Sequence, residues 1–146
     1  MIPDQALDLV KRFEGLHKVR SDGLVYPYFC PAGVPTIGWG TVVPSINHPP
    51  ITPEEAERLL TVELEACVRE ALRMSPILAG QPARLSAIAS FIYNLGAGRY
   101  YASTLRRRIN EQNWEEARKE IRRWVYGGGR KLPGLILRRE VEASLL

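Results

Sequence analysis

Three side chains near the start of the chain carry groups that are able to take part in acid–base chemistry or to hold water: the carboxyl group of Glu14, the thiol of Cys30 and the hydroxyl of Thr36. Glu14 ends a stretch with helical spacing of apolar residues, in which Pro3 suits the first position and Gly15 the stop. Because backbone carbonyls make the end of a helix negative, the protonated form of a carboxyl group is favoured there. A carboxyl group that keeps its proton near neutral pH is what general-acid catalysis requires.

Cys30 and Thr36 lie in a segment that reads Cys-Pro-Ala-Gly-Val-Pro-Thr-Ile-Gly-Trp-Gly over residues 30–40. Its glycines are typical of turns and bulges rather than of chemistry. A thiol with an ordinary pKa of about 8.5 is largely neutral at pH 7, so Cys30 orients water better than it activates it. The structural alternatives are a small buried apolar Cys30 and a Thr36 that only favours a strand.

The elements that position these residues are predicted to be one helix, a small sheet and a set of helices. Residues 3–14 form the first helix. Short strands follow at Leu24–Tyr26, at Phe29 and at Thr36–Trp39, broken by three prolines, Pro27, Pro31 and Pro35. Asn47–Pro50 is a loop. A small antiparallel sheet is the expected product of residues 15–50.

The remainder of the chain is predicted to be helical. Thr52, Pro53 and Glu55 form a capping box that opens a helix ending near Ser75. Further helices are predicted over 82–93, over 104–110, from the cap Asn113 to a point before Gly127, and over 133–145, with a loop at 94–98. We therefore expect an α+β, mainly α, single domain over residues 1–146. Its β lobe covers about 15–50, and its helical lobe covers about 51–146 packed with helix 3–14. The cleft between the lobes is the default place for an extended ligand.

Composition excludes several other classes of protein. The 146 residues contain no apolar run of 18, so no transmembrane segment is predicted, and the N-terminus has no secretory signal pattern. The two histidines and the two cysteines, Cys30 and Cys67, have no metal-ligand spacing. No phosphate loop or Ser-His-Asp arrangement is present. We expect neither a metal nor a cofactor.

The charge of the chain is unevenly distributed. Residues 1–98 carry 8 basic and 10 acidic side chains, and residues 99–146 carry 12 and 6, so that net charges of −2 and +6 account for the overall +4. One interpretation is a set of solvated helix faces. The other is attraction to a polyanion, such as cell-wall polymer, an anionic envelope surface or nucleic acid.

Three blocks of the sequence resemble the phage-type lysozymes, the glycoside hydrolase family 24 endolysins. The first is Phe-Glu-Gly-Leu over 13–16 with the Tyr-x-Cys-Pro-Ala-Gly-Val-x-Thr-Ile-Gly-Trp-Gly segment over 28–40. The second covers 90–98 and 103–105, and the third covers 124–129 and 134–140. The blocks follow in the order of that family and span nearly the whole chain. The resemblance implies a lysozyme-like fold.

The resemblance also implies site residues. Glu14 matches the general acid, and Thr36 matches a residue that helps to hold the attacking water. Cys30 stands where many members place an Asp and others a Cys. Fifteen residues separate Glu14 from Cys30, seven more than is usual, so the resemblance implies an insertion within 17–27. Asp22 in that insertion is either a surrogate carboxylate or part of a plain Ser-Asp-Gly turn.

Further residues near glycine-rich ends are candidates for substrate binding, because aromatic faces and amides suit sugars. They are Tyr28, Tyr93, Asn94, Tyr126 and Arg130, with Asp22 as an additional candidate.

The function that the resemblance implies is that of an endolysin. Such an enzyme cleaves the bond between N-acetylmuramic acid and N-acetylglucosamine in peptidoglycan and lyses the host. We expect a monomer without specific nucleic-acid binding, held in the host cytoplasm until a holin releases it to the periplasmic wall. Two alternatives stay open: a lytic transglycosylase, and a non-enzymatic basic module that binds wall polymer or nucleic acid.

Overall fold

The computed structural model describes residues 2–146, which form a mainly helical chain with two small antiparallel sheets. The helices are α1 (Asp4–Glu14), α2 (Pro53–Met74), α3 (Pro82–Leu95), α4 (Ala97–Ala102), α5 (Thr104–Asn110), α6 (Trp114–Ile121) and α7 (Pro133–Ser144). The strands are β1 (Tyr28–Phe29), β2 (Pro35–Ile37), β3 (Thr41–Val42), β4 (Tyr126–Gly127) and β5 (Arg130–Lys131). The predicted mainly α, α+β class is confirmed.

The predicted helix caps are present. The Thr52 hydroxyl accepts a hydrogen bond from the Glu55 amide at 3.1 Å, and the Asn113 side chain accepts one from the Glu116 amide at 3.3 Å. Each cap satisfies an amide that the first turn of a helix leaves without an intrahelical partner. The local sequence therefore determines where α2 and α6 begin.

The chain divides into two compact units. One is Val10–Glu63, and the other is Leu64–Leu146 together with the N-terminal segment through Leu9. Helices α1 and α2 each contribute residues to both units. The single-domain arrangement with a substrate cleft stays a prediction.

The Val10–Glu63 unit contains the three-stranded sheet, in the order β1-β2-β3 with both pairs antiparallel. One cluster of its buried core consists of five residues: Val25, Ile37, Val43, Ile51 and Ala56. Gly38 has φ +65°, and a Cβ at this position would lie 3.2 Å from the Cβ of Ala56. The turn after β2 therefore requires glycine for both its backbone conformation and its close packing on α2.

Three details of the predicted sheet are wrong. Pro35 begins β2 instead of breaking it, because the first residue of a strand is a position that tolerates proline. β2 ends at Ile37, and Trp39 lies in the turn that leads to β3, a strand the sequence patterns did not indicate. Val25 makes isolated bridges to Val19 and Ile51 rather than a continuous strand.

The Leu64–Leu146 unit is a helical bundle in which α3 contacts α4 and α7, and α6 contacts α5 and α7. The fully buried ring of Phe91 lies at its centre. The rings of Tyr100 and Trp124 approach it edge-on, with centroid distances of 6.1 and 5.4 Å. Edge-to-face pairs of this kind contribute about 0.5–1.5 kcal/mol each beyond the area they bury.

The predicted loop over 94–98 is partly wrong. Gly96, with φ +97°, interrupts the helix for one residue, and α4 begins at Ala97. Buried Tyr100 anchors this short helix through a 2.7 Å hydrogen bond with Ser75. The hairpin of β4 and β5 and the short 3₁₀ helix Pro76–Leu78 were not predicted either.

A buried network of charged groups joins α7 to α3. Arg139 and Glu142 are fully buried, with Arg139 Nε 3.0 Å from Glu142 Oε1, and Ser90 donates to Glu142 Oε2 at 2.6 Å. Burial lowers the pKa of Arg139 to about 10 and raises that of Glu142, so desolvation opposes both charges. Removing one member of such a network costs about 3–5 kcal/mol, because it leaves a buried charge uncompensated.

Candidate active site

The pairing of β1 with β2 places three polar side chains on one face of the sheet. Tyr28 is opposite Thr36, and the backbone amide of Cys30 donates to the carbonyl of Val34 at 3.0 Å, which continues the register by two residues. Because side chains alternate along a strand, Cys30 is on the same face as Tyr28. The phenol, the thiol and the Thr36 hydroxyl are therefore neighbours.

The turn over Cys30–Val34 aims backbone donors at the thiol. The Gly33 amide donates to the Cys30 carbonyl at 2.8 Å, and Gly33 has φ +77°, as a tight hairpin turn requires. Hydrogen bonds from the backbone of Val34 and of Ala32, followed by the hydroxyl of Thr36, lower the pKa of the Cys30 thiol. The thiolate is therefore more accessible near neutral pH than that of an ordinary cysteine.

Thr36 connects the turn to the thiol. Its hydroxyl is buried and donates to the Val34 carbonyl at 2.9 Å. A hydroxyl has one proton and two acceptor sites, so while Cys30 is neutral the Thr36 oxygen is able to accept from its S–H. When Cys30 is ionised, the Thr36 hydroxyl is able to rotate and donate its proton to the sulfur. Thr36 thus suits either protonation state of the thiol.

Glu14 lies close to this face. It is the last residue of α1 and half-buried, and Gly15, with φ +70°, ends the helix by donating its amide to the Lys11 carbonyl. The pKa of Tyr28 is raised, first by burial and then by the charges of Glu14 and Cys30. The Tyr28 hydroxyl is therefore within electrostatic reach of both the carboxyl group and the thiol.

Asp22 is bound within its own turn. Its carboxylate accepts from the Leu24 amide at 2.9 Å and from the Tyr26 hydroxyl at 2.5 Å, and Arg20 stacks on the Tyr26 ring at 3.8 Å. The hydrogen bond from Tyr26, then that from Leu24, lowers the pKa of Asp22. These contacts favour the turn interpretation of Asp22 over the surrogate base, because an acceptor that is already satisfied is a poor base.

The other four predicted binding residues belong to the Leu64–Leu146 unit. Tyr93 and Asn94 are half-buried in the last turn of α3, and the Asn94 side-chain oxygen accepts from the buried Arg139. Tyr126 and Arg130 lie on the exposed hairpin of β4 and β5. The register pairs Tyr126 with Lys131 and Arg130 with Gly127, so Tyr126 and Arg130 are on opposite faces of the hairpin.

The sequence interpretation missed two residues beside the site. His17 contacts both the backbone of Glu14 and the ring of Tyr28. Lys11 pairs with Glu57 at 2.5 Å and lies 5.0 Å from the Trp39 ring, which joins α1, α2 and the turn after β2. The only sequence signal for these two residues was their position three residues before and three residues after Glu14, because residues three apart meet at a helix end.

Three further observations concern the described residues 2–146. No group of three or more His, Cys, Asp or Glu side chains is arranged to hold a metal ion. No helix in this part of the chain is long and apolar enough to cross a membrane. Cys30 and Cys67 do not form a disulfide.

The chain thus combines a mainly helical fold with a small sheet that carries a thiol and a hydroxyl, and a carboxyl group at the end of α1. The sequence model of the phage lysozyme family matches residues 11–142, which is nearly the whole chain. The chain therefore belongs to the phage lysozyme family. The predictions of this family, of a lysozyme-like fold and of a lysozyme activity are confirmed.

Individual relatives agree with this assignment. The chain is 35% identical over 136 residues to a SAR-endolysin of Bacteriophage PS119, with 90% of this chain and 77% of the relative covered. The muramidase domain of SpmX from Asticaccaulis excentricus superposes with a TM-score of 0.81 at 28% identity, covering 99% and 96% of the two chains. The endolysin of Escherichia coli O157:H7 phage FAHEc1 gives 0.78 at 28% identity, covering 99% and 92%.

The donors around Cys30 lead to a prediction about its titration. In a Cys67→Ser background, where Cys30 is the only thiol, the midpoint of thiolate formation should fall below that of an ordinary cysteine. Thr36→Val removes the hydroxyl donor and should raise this midpoint, but only in part, because the donors at Val34 and Ala32 remain. The ultraviolet absorbance of the thiolate against pH measures both values. Identical midpoints in the two proteins would show that the Thr36 hydroxyl does not serve the sulfur.

Proposed function

We propose that this chain is an endolysin that hydrolyses the β-1,4 bond between N-acetylmuramic acid and N-acetylglucosamine in peptidoglycan, with Glu14 as its general acid. The observation that carries the proposal is the register of β1 with β2, which puts Tyr28, Cys30 and Thr36 on one face of the sheet. Glu14 lies close enough to this face that its charge, after burial, helps to raise the pKa of Tyr28. An acid and a water-holding group are therefore close together in the fold of a lysozyme family. Glycosidic hydrolysis needs this pair of functions.

In the proposed mechanism Glu14 protonates the leaving-group oxygen while positive charge develops on the sugar ring. Cys30 and Thr36 hold the water that attacks the ring. The backbone donors of the turn favour a negative sulfur, and a thiolate accepts a proton better than a thiol. Tyr28, beside both groups, is proposed to contact the sugar.

Substrate binding beyond these residues is also a proposal. Tyr126 and Arg130 are supported by their exposure and by their shared hairpin. Tyr93 is supported by its place in the last turn of α3. Asn94 has the weakest support, because its oxygen already accepts from Arg139. Asp22 is proposed to shape the turn of 17–27 rather than to touch the reacting atoms.

The biological setting follows from the family. We propose that the chain acts as a monomer on the periplasmic wall and lyses the host, and that a holin releases it from the host cytoplasm. Relatives of the chain in Bacteriophage PS119 and Bacillus phage B103 are endolysins. The support for the holin, for the monomer and for the cytoplasmic stage is this likeness alone.

A basic surface on residues 99–146 is proposed to bind the anionic envelope. All six carboxylates of this segment are in ion pairs with its own bases, including Arg108 with Glu111 and Arg122 with Glu140. Six bases form no ion pair with a carboxylate of residues 2–146: Arg99, Arg106, Arg107, Arg118, Arg130 and Lys131. The net positive charge of residues 99–146 therefore lies on these six side chains.

Glu14→Gln should abolish most of the activity. The change keeps the shape of the side chain and removes the proton, so turnover should fall by at least about a hundredfold. Mass spectrometry of digested peptidoglycan should find reducing ends with the parent protein. Products with 1,6-anhydro ends would instead indicate that the 6-hydroxyl of the sugar displaces the leaving group, as in a transglycosylase. Near-normal turnover of Glu14→Gln would refute the mechanism.

Substitutions at Cys30 and Asp22 separate the two candidates for holding water. Cys30→Ser should keep partial activity, because a hydroxyl still forms hydrogen bonds, whereas Cys30→Ala should lose most of it. Cys30→Asp should match or exceed the parent, because a carboxylate is ionised at neutral pH. Asp22→Asn should have little effect. Turnover on purified peptidoglycan measures all four, and full activity of Cys30→Ala would remove Cys30 from the site.

Charge reversal tests the basic surface. Arg99→Glu with Arg107→Glu should weaken binding to whole cells and flatten its dependence on salt, because salt screens exposed charges. The control is Arg58→Glu with Arg69→Glu, which changes the net charge equally at two exposed positions outside residues 99–146. Sedimentation of protein with cells at several salt concentrations gives the comparison. Equal weakening by the two pairs would leave only a general effect of net charge.

A further inference from the structure

Glu14 has to be positioned precisely, although it lies at the end of α1. Glu14 is the last residue of the helix, and the last four carbonyls of a helix have no intrahelical partner, so helix ends fray. A catalytic group has to be held within about 0.5 Å of its productive position. An acid at a helix end therefore needs contacts that fix the backbone around it.

His17 makes these contacts. Its Nε2 lies 2.8 Å from the Glu14 carbonyl oxygen, and because a carbonyl only accepts, Nε2 carries the proton and donates it. A histidine that donates to a terminal carbonyl stabilises a helix end. The ring also covers Gly15, where a Cβ would lie 3.4 Å from Nε2 and 3.6 Å from Cε1.

The same ring reaches the sheet. The rings of His17 and Tyr28 have a centroid distance of 5.1 Å and an interplanar angle of 57°. Tyr28 is opposite Thr36 in the register of β1 with β2. One imidazole thus touches the backbone of the proposed acid on one side and the strand that carries the water-holding face on the other.

The segment after His17 holds the ring in place. Lys18 has φ +59°, a conformation that costs a non-glycine residue energy and persists only where its surroundings impose it. The Tyr26 amide donates to the Lys18 carbonyl at 3.1 Å, and the Arg20 amide donates to the Leu24 carbonyl at 3.0 Å. Residues 18–26 therefore form a hairpin that begins next to His17 and ends two residues before Tyr28.

We propose that His17 is a positioning residue of the active site, which with the hairpin of residues 18–26 fixes the Glu14 end of α1 against Tyr28. The proposal rests on the proposed function of Glu14. It gives residues 17–27 a role, because they connect the end of α1, which carries Glu14, to the strand that carries Tyr28. His17 itself touches no reacting atom in this role.

Three variants separate the two contacts of His17. His17→Phe keeps an aromatic ring against Tyr28 and loses the donor, His17→Gln keeps a donor and loses the ring, and His17→Ala loses both. The matched control is His48→Ala, which removes the other histidine of the chain, whose Nδ1 lies 2.7 Å from the Pro49 carbonyl. Reducing-end release from soluble peptidoglycan oligomers gives kcat and KM, and thermal unfolding gives Tm.

His17→Ala should lower kcat by about two- to tenfold, the effect of one hydrogen bond, while KM and Tm stay close to the parent values. Phe and Gln should each restore part of the loss, and His48→Ala should change nothing. A kcat of His17→Ala equal to that of the parent would overturn the proposal. So would a fall in Tm that parallels the fall in kcat across the three variants, because it would indicate a merely structural role. A parent protein that releases no reducing ends would instead overturn the proposed function.

Discussion

The antiparallel register of β1 with β2 is the constraint on which the proposed site depends. Opposite pairing of Tyr28 with Thr36, continued to Cys30, puts a phenol, a thiol and a hydroxyl on one face. A slip of one residue would turn each of them to the other side of the sheet. The strands are only two and three residues long, so the tight turn at Gly33 and the packing of Gly38 on Ala56 have to hold this register.

Local signals in the sequence predicted most of the elements, because caps and breakers act within a few residues. Thr52, Asn113 and Gly15 marked helix ends that the structure contains. Errors arose where a single residue decided the outcome. One glycine, Gly96, separates two helices that the pattern read as a helix and a loop, and Pro35 begins a strand that it was expected to break. Such outcomes depend on tertiary contacts, which periodicity does not contain.

The residues of the candidate site were likewise predicted only in part. The resemblance of the sequence blocks, more than the types of Glu14, Cys30 and Thr36, pointed to hydrolysis, and the pairing of the strands brings Tyr28 to the thiol and the hydroxyl. The role of His17 was not predictable from its type, because its contacts depend on the conformation of the residues that follow it. The turn that contains Asp22 shows the opposite case, since a Ser-Asp-Gly sequence predicts a turn and the carboxylate is satisfied within it.

The turn over 30–34 also favours a negative charge on the thiol that is proposed to hold the attacking water. Its backbone donors stabilise negative charge on the sulfur of Cys30. For a thiol they move the pKa down toward neutral pH, where the anion is needed. The backbone of this turn thus favours an anion at Cys30, the residue that is proposed to hold the attacking water.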